Sequence, residues 1–166
     1  MKAQVIAITV LVFLLTSKLQ VYAQINWDEN YPETDVAEVL RFEQEYADSI
    51  DAKSGKEDYY FRTAKFRFGA TYLGQSRKLD PGVLRSMSNV FKLRMPDYSP
   101  AALVNNEYLF LVAGKQIWAP IQRQIENAFN REIKNGSEVM LYTLFLNEHS
   151  DKGLFNTFLI SEFQQK

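Results

Sequence analysis

The stretch 136-GSEVMLYTLFLNEHSDKGLFNTFLISEF-163 decides the fold. It reads as two strand-like runs joined by a polar turn near 147–153. Side chains alternate with a period of two along a strand. Val139, Leu141 and Phe145 therefore share one face, and Met140, Tyr142, Leu144 and Leu146 share the other. A small antiparallel sheet ordinarily keeps one face wet, yet here both faces are apolar. Each large apolar side chain left in water forgoes about 1.5–3 kcal/mol. One face can line a core. The other needs a cover, and an amphipathic helix laid flat on the outside of the sheet is expected. The rival expectation is a bare apolar face that joins a partner or a second copy.

Three segments can supply that cover. Asp35 and Glu38 have capping-box spacing, and Val36, Val39, Leu40, Tyr46 and Ile50 recur at helical intervals up to the Ser54-Gly55 breaker. Asp80-Pro81 opens a second helix with the stripe Val83, Leu84, Met87, Val90 and Phe91, closed off by Pro96 and Pro100. Pro120 is expected to open a third, with Ile121, Ile125, Phe129 and Ile133 facing inward and Asn135-Gly136 ending it.

Further strands are expected over 59–73, where Phe66, Phe68, Ala70 and Tyr72 alternate with Lys65, Arg67, Gly69 and Thr71, and in a hairpin over 107–119 turned at Gly114-Lys115. Gly74 is read as the end of the first strand. Without the first two helices the order is three strands, a helix and two strands, which is the order of the OB-type barrel. The expected class is α+β: a small antiparallel sheet, or a five-stranded, partly open OB-like barrel, with about three helices packed on it.

The first 23 residues have the layout of a secretory signal. Lys2 precedes an aliphatic run from Val5 to Leu15, and Val21-Tyr22-Ala23 offers small residues before Gln24. A secreted or periplasmic location is the expectation, with a lead-in at 24–34, one α+β domain at 35–166, and no membrane span after cleavage. The chain has no cysteine, so disulfides and thiol chemistry are excluded.

Charge is segregated along the chain. Residues 24–58 hold 11 acids and 3 bases, whereas residues 59–98 hold 2 acids and 8 bases. The bases are interleaved with aromatics, a mixture suited to an anionic glycan, a lipid headgroup or nucleic acid. Arg67, Arg77, Lys78 and Arg85 from this segment, Trp118 at a strand end, and His149 and Lys152 from the last loop are the candidate ligand-binding residues. The competing expectation is internal neutralisation, with the acidic first helix lying over the basic strand.

Catalytic patterns are sparse. His149 is the only histidine, and its neighbours Glu148, Ser150 and Asp151 suit a turn better than a triad or a metal site. No phosphate loop, zinc-protease helix or nucleophile elbow occurs. No cofactor or metal is expected. The leading expectation is a small exported binding or interaction protein without catalysis, contacting an anionic ligand or an envelope protein. Alternatives are a small secreted hydrolase using carboxylates and a structural or assembly protein of the envelope.

Overall fold

The computed structural model describes residues 27–53 and 60–166. The expected signal segment, the Ser54-Gly55 breaker and the carboxylates Glu57 and Asp58 lie outside the described residues. A helical turn, α1 (27–30), precedes α2 (Val36–Asp51), β1 (Tyr60–Lys78), α3 (Pro81–Arg94) and α4 (Pro100–Leu103). Then follow β2 (Val104–Val112), β3 (Lys115–Gln122), α5 (Arg123–Glu132), β4 (Glu138–Ser150) and β5 (Gly153–Gln165). The class is α+β.

The five strands form one mixed sheet whose ends meet. β1 pairs antiparallel with β4 over Tyr60–Thr71 and with β2 over Thr71–Lys78. β2 pairs with β3 and β4 with β5, both antiparallel. A single parallel contact, Ile121 with Ile160, joins β3 to β5 and completes the ring β1-β2-β3-β5-β4. That contact corrects the expectation of a purely antiparallel sheet. The short α1 and α4 likewise exceed the three helices expected.

The inner face carries the main core. Phe68, Phe110, Leu141, Phe145, Phe158 and Ile160 are all buried in one cluster. Phe129 of α5 enters at one end, its ring 5.3 Å from Tyr72 and 5.2 Å from both Tyr108 and Phe163. Val36, Val39 and Leu40 of α2 join the same cluster with Ala64 and Phe66 of β1. Asp35 starts α2 by accepting the N–H groups of Ala37 and Glu38.

The outer face of the last hairpin is covered in two pieces. Met87, Val90 and Phe91 of α3 bury against Leu146 and Leu159, with Leu144 partly buried beside them. Asp80 caps α3 through the N–H groups of Gly82 and Val83, and Pro81 takes the first helical position. Farther along β4, Tyr142 is roofed by Trp27 and Tyr31, with ring centroids 5.7 Å and 5.9 Å away. Its hydroxyl donates to Asp28 at 2.7 Å. The lead-in is thus part of the roof.

Three local expectations are corrected. β1 does not stop at Gly74. It continues to Lys78 through a register shift between Tyr72 and Ser76. Gly74 sits there at φ +71°, and a Cβ would come within 2.8 Å of Asn135. The glycine is a bulge that lets one strand change neighbours. Pro120 does not open a helix. It lies in β3 opposite Glu107, and α5 begins only at Arg123. Finally, the last turn is confined to Asp151-Lys152, so Asn147 and His149 are strand residues.

Removing the outer contact should be costly. Leu146→Ala or Leu159→Ala is expected to lose about 2–5 kcal/mol in urea unfolding. Leu93→Ala, on the exposed side of α3, should stay within about 0.5 kcal/mol.

Candidate ligand site

The first half of β1 has β4 on one side and α2 lying across it. Between α2, this half-strand and the end of α3 opens a cleft of about 660 Å³. Its apolar lining comes from Val39 and Phe42 of α2, Phe61, Ala64 and Phe66 of β1, and Phe145 of β4. Phe42 is 49 % exposed, unusually open for a large aromatic.

The polar lining is arranged in two parts. Glu43 is buried on the underside of α2 and accepts from the Tyr60 hydroxyl at 3.1 Å and from Arg62 Nη1 at 3.3 Å. The Arg62 guanidinium also lies 4.3 Å from the Tyr46 ring centroid and 4.9 Å from that of Tyr60. Burial foremost, and then the Glu43 charge, push the Tyr60 phenol well above its ordinary range. Arg94 is placed differently. Its Nη2 donates to the Phe61 carbonyl at 3.5 Å, and among the described residues no carboxylate pairs with it. Three acids line the cleft: Asp35 is engaged in capping α2, Glu43 in the Tyr60–Arg62 array, and Glu38 stands exposed on the α2 wall.

The seven residues expected from the sequence do not form one basic face. Arg67 holds the lead-in, donating to the carbonyls of Asp28 at 2.7 Å and Tyr31 at 3.2 Å, with Glu33 at 3.6 Å. Arg77 lies 4.1 Å over the Trp118 ring on the outer face of β1, β2 and β3, and pairs with Glu107. Lys78 follows it, exposed. Arg85 lies over Phe155 at 5.0 Å. Lys152 pairs with its neighbour Asp151 in the turn. His149 is buried on the inner face with Nε2 3.2 Å from Asp51. Of the seven, only Arg77 and Trp118 touch one another.

Glu107 deserves its own account because it is fully buried. Burial pushes its carboxyl above the usual range, while hydrogen bonding and charge from Arg77 pull it back. Arg77 therefore acts first as the counter-charge of a buried acid.

Arg62 and Arg94 lie in the basic segment but were not singled out from sequence, and neither was Glu43. The signal for Glu43 was present. It falls on the same helical face as Val36, Val39, Leu40, Ala47 and Ile50, and an acid on an apolar stripe implies a partner. Among the described residues, no group of three or more His, Cys, Asp or Glu side chains is placed to hold a metal.

Arg77→Ala should destabilise the fold by about 1–3 kcal/mol at neutral pH, because it strands a buried carboxylate. The deficit should shrink as pH falls, since a carboxyl whose folded pKa is raised favours folding once protonated. Glu107→Gln in the Arg77→Ala background should restore part of the loss, read by urea unfolding at two pH values. A scan against protein-family models and a search of curated proteins match nothing to this chain.

Proposed function

We propose that the protein is a small exported binding protein without chemistry of its own, holding an anionic ligand with an apolar body in the cleft between α2 and β1. One observation carries this reading. The cleft has aromatic walls, a volume within the roughly 300–1,000 Å³ range of ligand sites, and the Arg94 guanidinium on its lining with donors to spare. Glycoside-type hydrolysis needs two carboxyl groups converging on one bond. Asp35 and Glu43 instead hold hydrogen bonds within the fold, which leaves Glu38 as the single remaining acid on the lining.

The ring order and the parallel β3–β5 contact support an OB-like barrel. Such barrels bind oligonucleotides and oligosaccharides on strands 2 and 3 and the adjoining loops. In this chain that face presents Arg77 already stacked on Trp118 and neutralised by Glu107. The cleft is the better-supported site for that reason.

Anilinonaphthalene sulfonate, an apolar dye with one sulfonate, serves as the probe. It is expected to bind saturably at one site with a rise in fluorescence. Phe42→Ala and Arg94→Ala should each weaken it about five- to tenfold, or about 1–1.4 kcal/mol, whereas Lys152→Ala should leave it unchanged. Absence of saturable binding, or binding indifferent to both cleft variants, would overturn the proposal.

A further inference from the structure

Among the described residues, the backbone of β1 beside the cleft is paired on one side only. In an antiparallel pair, alternate residues direct both N–H and C=O toward the neighbour, and the residues between them direct theirs away. Arg67 fixes which set is which. Its N–H donates to the Pro32 carbonyl and its carbonyl accepts from Thr34 N–H, both at 3.0 Å, on the side away from β4. The β1–β4 register runs without a shift from Tyr60 to Thr71. Phe61, Thr63 and Lys65 therefore turn their backbone groups to the same side as Arg67. β2 does not reach them, because its pairing with β1 starts at Thr71. Among the described residues one hydrogen bond reaches this stretch of edge, from Arg94 to the Phe61 carbonyl, and Tyr31 lies beside it with its ring centroid 5.4 Å from Lys65 Nζ.

The cleft runs along this edge, with Phe61 and Thr63 on its lining. An open strand edge is a template for another strand. Here it adjoins apolar walls that can take alternate side chains. Resting on the cleft reading above, we infer that the ligand is an extended acidic peptide segment of a partner protein, which adds as a strand to β1 at residues 61–65. Two features specify this occupant. The chain already pairs its own residues 32–34 in extended form at the next rung, so an added strand continues an existing row of hydrogen bonds. While Glu38 stands on the opposite α2 wall, the edge itself also carries two cations, exposed Lys65 and Arg94, the latter without a carboxylate among the described residues. Acidic side chains complement it, whereas a second copy of the same edge brings like charges together.

The test uses a blocked octapeptide alternating glutamate and valine, and two derivatives N-methylated at all glutamates or at all valines. In an added strand only alternate residues turn their N–H toward β1. One derivative should therefore bind at least tenfold more weakly than the parent, and the other should match it. The parent peptide should displace the sulfonate dye and slow amide exchange at Thr63 and Lys65. Lys65→Pro removes an N–H that does not serve the β4 ladder, at a position off the cleft lining, so it should lose the peptide and keep the dye. Equal binding of all three peptides would overturn strand addition and leave the cleft reading standing. Dye binding without peptide binding would overturn the peptide occupant. Edge amides that become protected as the protein alone is concentrated would assign the edge to a second copy and overturn the inference.

Discussion

Burial of both faces of β4 and β5 is the constraint on which the rest depends. Two adjacent strands with apolar side chains above and below cannot stand at the surface of a small sheet. The inner face is satisfied by curling the sheet until β3 meets β5 and by inserting Phe129 at one end. The outer face is satisfied by α3 over Leu146 and Leu159 and by Trp27 and Tyr31 over Tyr142. The α3 part of the roof also carries a polar peg. Glu148 points outward from β4 under α3 and accepts from Asn89 at 2.9 Å, which ties helix to sheet at a fixed register.

The cleft follows from how the ring is closed. β1 is long enough to serve β4 with its first half and β2 with its second, changing over at Thr71 and the Gly74 bulge. Among the described residues each half consequently has one full strand neighbour, besides the single bridge from Glu33 to Arg67. The second half receives Phe129 of α5 against Tyr72, and the first half lies against α2, whose Glu43 binds Tyr60 and Arg62. The acidic opening of the chain and its basic strand meet there and again at Arg67, with Asp28 and Glu33. Part of the segregated charge is therefore matched within the fold, through Arg62 and Arg67.

The helices over 36–51 and 81–94 and the double-sided hairpin were legible in the sequence because period and capping residues agreed there. Misreadings arose where one residue serves two grammars. Gly74 looks like a terminator, but a positive-φ residue inside a strand is also a bulge. Ile121 fits a helical stripe with Ile125 and also fits the inward side of β3, and strand pairing decided between them. The candidate site was less legible. Arg62, Arg94 and Glu43 are brought together by α2 crossing β1, a tertiary event with no local signature. Arg67, Arg77 and His149 looked available because their partners, Glu33, Glu107 and Asp51, lie at least 30 residues away in sequence.

The hydrogen bond from Tyr142 to Asp28 spans 114 positions of the chain. Its Tyr142 end stands on the outer surface of β4, which pairs with β1 on one side and β5 on the other. Closing so long a loop carries a large entropic cost that only a preformed platform offsets. The aromatic turn around Trp27, although synthesised early, is expected on this ground to dock late. A protein assembled in that sequence keeps its opening residues available to other handlers until its final hairpin is in place.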